Sequence, residues 1–274
     1  MQAFRPYLAT FAARFQLMLQ YRAAALAGFM TQSWFGGLLI MVMAAFYSAG
    51  GQGAPISLSQ AVTYIWLSQA TLALLPWGGD PDVAAAVRSG AVSYDRLRPI
   101  DAYWWWYSNA AGSMLARVLP RAALISMFAG VVIPLLGYGD WGLAPPASLT
   151  QGMLFALSMV LVLALASAVM MLINVGTVAT LDNKGVTSLA GAATHLFSGN
   201  IVPLLLFPDA LRPFLLAQPF AGLLDIPCRI YFGQMAGADA FVGLGLQLFW
   251  IVTLIALGRA LIGGVMSRLQ VQGG

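Results

Sequence analysis

His195 and Ser198 are the residues of this sequence that come closest to catalytic chemistry. They lie three residues apart, so a helix would place them on one face, where an imidazole could accept the proton of a serine hydroxyl. No acidic residue lies near them in the sequence to orient the imidazole. A hydrolase is therefore disfavoured, and packing between helices is favoured over a protonation switch as the role of His195.

The counts of metal-binding and redox residues exclude other kinds of site. His195 is the one histidine and Cys228 the one cysteine, so neither a conventional zinc site nor an intramolecular disulfide is expected. The pattern G-x-x-x-x-G-K-[ST] of a phosphate-binding loop does not occur. We therefore expect no cofactor in this chain and no ATP hydrolysis by it alone.

A short helix with defined ends is predicted over residues 79–90. Asp80 is a suitable N-cap, and Pro81 follows at the first helical position, where the missing N–H costs nothing. Arg88 suits the negative end of the helix dipole, and Gly90 can adopt the left-handed conformation that ends a helix.

The amino-acid composition indicates that the candidate residues are positioned by transmembrane helices. The chain is 60% hydrophobic and 8% charged, and its mean hydropathy is +0.82, values typical of an integral membrane protein. A span needs about 20 apolar residues. We predict an all-α integral membrane fold that forms a single domain over residues 1–274, with six transmembrane helices at 23–48, 58–77, 118–137, 150–178, 186–206 and 241–263.

Basic residues fix the predicted orientation. If the N-terminus is cytoplasmic, eleven of the thirteen basic residues fall on the cytoplasmic side, which satisfies the positive-inside rule and places both termini there. The two basic residues left outside are Arg212 and Arg229. The net charge of +4 is too small and too scattered for a nucleic-acid groove, so no nucleic-acid partner is expected.

Two further segments are expected at the membrane surface. Residues 1–22 predict an amphipathic interfacial helix, whose aromatic stripe enters the lipid while Arg5 and Arg14 reach the headgroups. The alternative is a tail packed on its own domain. Residues 207–240 are apolar and rich in proline, which predicts short outer re-entrant helices between the fifth and sixth spans or, alternatively, a loop resting on the surface.

Two motifs resemble one family of transporters. "RSGAVSYDRLRPID", residues 88–101, is similar to the cytoplasmic signature of ABC-2 type exporter permeases, in which a Ser-Gly pair and a Leu-Arg-Pro follow a coupling helix. "FSGNIVPLLLFPDALRPFLLAQPFAGLLDIPCRIYFG", residues 197–233, is similar to the exit of the family's fifth span. The pattern is closest to a bacterial, uncharacterised branch whose members often pair with a second permease.

The resemblance implies a transport subunit that is not an enzyme by itself. Its partners would be a dimer of P-loop ATPase subunits, which bind the ATP and Mg, and a second permease that is either a copy or a paralogue of this chain. It also implies contact with membrane lipid, an inner-membrane location and export of a hydrophobic or amphipathic substrate. The residues implied to contact the ATPase are Asp80, Asp82, Arg88, Ser89, Gly90, Asp95, Arg96, Arg98 and Pro99.

The family's coupling helix often carries Glu, but all nine acidic residues here are Asp. Charge complementarity to an ATPase would therefore depend on Asp80, Asp82 and Asp95. The alternative is an ordinary polar loop whose arginines anchor lipid headgroups.

Polar and aromatic residues inside the spans suggest a translocation path or a dimer seam between the first and fifth spans. The candidates are Gln32, Trp34, Gln69, His195 and Asn200. For each polar residue, hydrogen bonding between helices is favoured over substrate binding. Two other functions stay open: an ATP-independent membrane enzyme or scaffold, and an ion-driven carrier, which would need acidic residues at mid-membrane.

Overall fold

The protein is helical throughout the part of the chain that the structure describes. The computed structural model describes residues 4–92 and 99–268, and within them it contains no β-strand. The α-helices are α1 (Arg5–Leu19), α2 (Arg22–Ser48), α3 (Leu58–Thr71), α4 (Pro81–Ser89), α5 (Ala102–Met127), α6 (Ile133–Leu135), α7 (Leu149–Thr180), α8 (Asn183–Phe197), α9 (Arg212–Ala217), α10 (Asp225–Tyr231) and α11 (Ala238–Arg268).

Four helices among the described residues are long and apolar enough to cross a membrane. They are Arg22–Ser48, Ala102–Leu135, Leu149–Thr180 and Ala238–Ser267. Three of them match the predicted spans at 23–48, 150–178 and 241–263. The membrane character expected from the composition is thus supported, while the number of six spans is not confirmed.

The predicted span at 118–137 is only the second half of a longer helix. α5 continues through a π-helical turn into α6, and the helix runs for 34 residues from Ala102 to Leu135. At 1.5 Å per residue it is about 51 Å long, about 20 Å more than the hydrocarbon core of a membrane. Hydropathy missed the first half because Arg117 and Arg121 interrupt the apolar run.

The other two predicted spans, 58–77 and 186–206, correspond to shorter helices. α3 has 14 residues and α8 has 15, so each is only about 22 Å long. After α3 a short 3-10 turn leads to Leu75, which is extended because Pro76 follows it. Beyond α8, Gly199 has a φ of 84°, a left-handed conformation that a helix cannot continue through.

α1 forms as predicted and packs against the first half of α5. Gly112 permits the close approach, because a Cβ at this position would lie 2.6 Å from the carbonyl oxygen of Phe11. At the start of α5 the backbone N–H of Asp101 donates to the Tyr7 hydroxyl at 3.1 Å. Phe4 and Leu8 are exposed, at 70% and 66%, so the insertion of this helix into lipid stays a prediction.

α7 lies at the centre of the bundle and packs against α4, α5, α8, α10 and α11. Leu165 and Val169 of α7 share a core cluster with Met114 of α5 and Leu254 of α11. Gln247 of α11 forms hydrogen bonds to neighbouring elements, since it accepts from the Ser158 hydroxyl at 2.9 Å and donates to the Gly222 carbonyl at 2.7 Å.

The segment 207–240 contains short helices, as predicted. α10 is almost wholly buried, and Tyr231 at its end donates from its hydroxyl to the Ala144 carbonyl at 2.9 Å. The segment therefore packs on the bundle, chiefly on α7.

Candidate functional site

α4 begins and ends where the sequence predicted. Asp80 is its N-cap, and the Oδ1 atom accepts from the backbone N–H of Asp82 at 2.9 Å. Pro81 occupies the first helical position, and Gly90 closes the helix with a φ of 74°. These local groups satisfy the ends of a nine-residue helix that would be marginal alone.

One face of α4 is fixed to the bundle. Val83, Ala84 and Val87 are buried, and Val87 lies four and three residues after the other two, spacings that bring all three onto one side of the helix. The cluster that contains this face draws residues from three other helices: Tyr103 and Trp106 of α5, Met171 and Val178 of α7, and Met266 of α11.

The opposite face of α4 is exposed. Of the residues implied to contact an ATPase, Asp82, Arg88, Ser89, Gly90 and Pro99 are accessible. Asp95, Arg96 and Arg98 lie outside the residues that the structure describes.

Asp80 was expected to contribute a surface charge, but its role is internal. The residue is 5% exposed, and burial raises the pKa of its carboxyl group, although the Asp82 N–H and the nearby arginines act against that rise. The carboxylate is used to cap the helix and cannot form a contact with a soluble partner.

Asn174, in the C-terminal part of α7, connects the start of α4 to the bundle. The side-chain Oδ1 of Asn174, which is fully buried, accepts from the backbone N–H of Asp80 at 2.7 Å. Gly79 makes room for this bond, since a Cβ there would lie 2.8 Å from the same oxygen. Asn174 therefore joins two elements through a buried hydrogen bond.

Arg14 joins α1 to α4 and α5. Its guanidinium group forms an ion pair with the Asp82 carboxylate, and its Nε atom donates to the Ser113 hydroxyl at 3.0 Å. The expectation that Arg14 reaches lipid headgroups is wrong, because only 19% of its side chain is exposed. The sequence gives no signal for this pair, whose members are 68 positions apart.

The residues proposed for a path or seam differ in exposure. Gln32 and Gln69 are buried, at 6% and 4% exposed, whereas Trp34 on α2 is 70% exposed. Asn200 follows α8, and its buried Oδ1 atom has no hydrogen-bond partner among the residues that the structure describes. The buried residues are thus placed as interior groups, and Trp34 lies on the outer surface of the chain.

His195 and Ser198 do not form a catalytic pair in the described structure. The imidazole of His195 lies against the Trp77 ring, with 4.3 Å between ring centroids. Ser198 is buried, and its hydroxyl accepts from the Asn200 N–H at 3.3 Å. The described residues also contain no group of three His, Cys, Asp or Glu side chains that could hold a metal ion.

No family model, no curated protein and no solved structure matches the chain. The resemblance to ABC-2 permeases therefore depends on the two motifs alone.

Proposed function

We propose that the chain is the membrane subunit of an ATP-driven exporter, with α4 as the helix that receives motion from a separate ATPase. The observation that carries the proposal is the construction of α4. It is a short helix, capped at both ends, packed on three bundle helices and polar on its free face.

Such a helix can transmit a push from outside to the bundle. A partner that seats on the face containing Asp82, Ala85 and Ser89 would press Val83 and Val87 against α5, α7 and α11. Because packed interiors resist compression, the helices would move together with α4 and not deform around it. In the proposed complex, two permease subunits and two ATPase subunits assemble, and ATP binding drives the motion.

The proposed orientation places α4, both termini and the ATPase in the cytoplasm of a bacterial cell, with the chain in the inner membrane. It is supported by the distribution of the basic residues. The proposed substrate is hydrophobic or amphipathic, in keeping with the apolar, aromatic surface of α2, where Met30 and Trp34 are about 70% exposed.

The test is purification of the chain from its native membranes in mild detergent, followed by reconstitution in nanodiscs and measurement of ATP hydrolysis. The test variants are Ala85→Arg and Arg88→Glu, both on the free face of α4. Ala210→Arg is the matched control, because Ala210 is also exposed but lies in the outer segment.

We expect the wild type and Ala210→Arg to retain a P-loop ATPase and its activity, and both α4 variants to lose them while eluting as folded protein. A wild-type chain that carries no ATPase, or α4 variants that keep a fully active one, would contradict the proposal. The first of these outcomes would favour the ATP-independent enzyme or scaffold.

A further inference from the structure

Two adjoining cavities lie where α1, α2 and α5 meet. The first, of about 660 Å³, is mainly apolar and lies between the end of α1, the start of α2 and the middle of α5. The second, of about 510 Å³, is more polar and extends towards the start of α4. Met18, Arg117 and Arg121 contribute to the walls of both, so a charged compartment borders an apolar one.

The charged compartment has two arginines that find no carboxylate partner among the described residues. Arg14 also lines it but is neutralised by Asp82. Arg117 donates to the Ser113 carbonyl at 3.3 Å, and Arg121 donates to the Ala24 carbonyl at 3.2 Å. Among the described residues neither forms an ion pair. Asp80 is the remaining acid in the wall, and its carboxylate is engaged as a helix cap.

Two buried polar atoms without hydrogen-bond partners among the described residues belong to side chains that line the charged cavity. Gln32 lines the charged cavity and is 6% exposed. Within the described part of the chain, its Oε1 atom and the buried Nε atom of Arg121 have no hydrogen-bond partner. Buried polar groups are rarely left unpaired, because each costs about 1–3 kcal/mol. A ligand with hydroxyl and anionic oxygens would satisfy groups of this kind.

The length of the helix from Ala102 to Leu135 places these arginines near the surface of the membrane. If its far end reaches the opposite boundary, about 20 residues cross the hydrocarbon and the first 14 or so lie outside it. Arg117 and Arg121 then lie at the boundary, with the charged cavity towards water and the apolar cavity open to the lipid side.

We propose that these two cavities form a binding site for an anionic amphiphile, whose phosphate or carboxylate group is held by Arg117 and Arg121 and whose chain occupies the apolar cavity. Arginine suits this task because its planar guanidinium group can form two parallel hydrogen bonds to a phosphate. The occupant is either a resident acidic lipid or a transported amphiphile. The site requires no ATPase, so this inference stands or falls independently of the proposed exporter function.

The test uses delipidated, detergent-purified full-length protein and measures lipid binding by native mass spectrometry and by the rise in thermal unfolding temperature. The probes are dioleoyl phosphatidylglycerol, dioleoyl phosphatidylcholine and inorganic phosphate. The double variant Arg117→Gln/Arg121→Gln removes both charges, and Arg117→Lys/Arg121→Lys keeps them in case the first folds poorly. Arg5→Gln, an exposed arginine on α1 away from both cavities, is the matched control.

We expect the wild type and Arg5→Gln to bind phosphatidylglycerol about tenfold more tightly than phosphatidylcholine. The lysine variant should keep part of this preference, and the glutamine variant should lose it. Ala25→Trp, which fills the apolar cavity, should weaken phosphatidylglycerol binding without changing the response to inorganic phosphate.

Equal binding of the two lipids by the wild type would overturn the proposal, as would a preference that survives in the glutamine variant. Protection by inorganic phosphate as strong as that by phosphatidylglycerol would show an anion site without a place for a chain. With the lipid site established, an active complex distinguishes the two sources: a transported amphiphile leaves the protein as ATP is hydrolysed, whereas a resident lipid stays bound.

Discussion

At the scale of single residues, Asp225 combines complete burial with a charge. Its Oδ1 atom accepts from the Leu204 N–H at 3.3 Å, and its Oδ2 atom lies 3.5 Å from the Arg229 guanidinium. Burial raises the pKa of this carboxyl group to about 6, and the attraction of Arg229 only partly offsets the rise. The folded protein therefore binds a proton at Asp225 more tightly than the unfolded chain does.

The raised pKa of Asp225 predicts how stability depends on pH. As the pH rises from about 4 to about 6, the free energy of unfolding should fall, by up to about 3 kcal/mol at about 1.4 kcal/mol per unit. Asp225→Asn keeps the acceptor for Leu204 and removes the charge, so its unfolding temperature should vary less across this range. The measurement is thermal unfolding in detergent. The exposed Asp209→Asn should retain the wild-type slope, and the same slope in Asp225→Asn would disprove the assignment.

Arg14 shows which residue-scale features the sequence could not reveal. Its spacing relative to the aromatic residues of α1 indicated a position facing headgroups. The folded chain instead brings it against Asp82, a partner supplied by another helix. Long-range pairs of this kind depend on the packing of helices, which no local pattern encodes.

At the scale of elements, the position of α4 depends on its connection to α7. Asn174→Ala would leave the buried N–H of Asp80 without an acceptor, and the expected cost is about 1–3 kcal/mol. Hydrogen exchange should become faster at the backbone amides of α4 and change little in the first half of α7. Asn183→Ala, a change of the same type at the less buried start of α8, is the control. Unchanged exchange in α4 would mean that its apolar face alone positions it.

The sequence predicted the ends of α4 but not the lengths of α3, α5 and α8. The ends of α4 were predictable because Asp80, Pro81 and Gly90 act through the backbone of their own turn. The lengths of α3 and α8 were not, because hydropathy continues across Pro76 and Gly199 although the helices do not. The first half of α5 was missed because Arg117 and Arg121 interrupt the apolar run of the sequence, although the helix continues through both.

At the scale of the whole molecule, the orientation in the membrane is directly measurable. In a Cys228→Ser background, a cysteine is introduced at Ser89 or at Ala210, both of which are exposed in the structure. With a membrane-impermeant maleimide, we expect Ala210→Cys to react in intact cells and Ser89→Cys to react only after permeabilisation, because basic residues are retained inside. Labelling of Ser89→Cys in intact cells would invert the topology and remove α4 from the reach of a cytoplasmic ATPase.

Exposed apolar residues on α2 and α8 form surfaces on which another membrane protein could pack. α2 exposes Met30 and Trp34, and α8 exposes Leu189 and Leu196. In a bilayer such surfaces contact either lipid or another membrane protein. They are consistent with the predicted seam between the first and fifth spans, although the two faces are equally suited to lipid.

The helix from Ala102 to Leu135 is longer than the hydrocarbon core of a membrane, so a tilt of this helix would move its two ends in opposite directions. The helix is about 20 Å longer than the hydrocarbon core, and both α1 and α4 are attached to its first half. A tilt of about 10° around the boundary would swing the free end by only about 4 Å. In the proposed exporter, a small displacement of α4 would therefore tilt this helix and move its other end in the opposite direction.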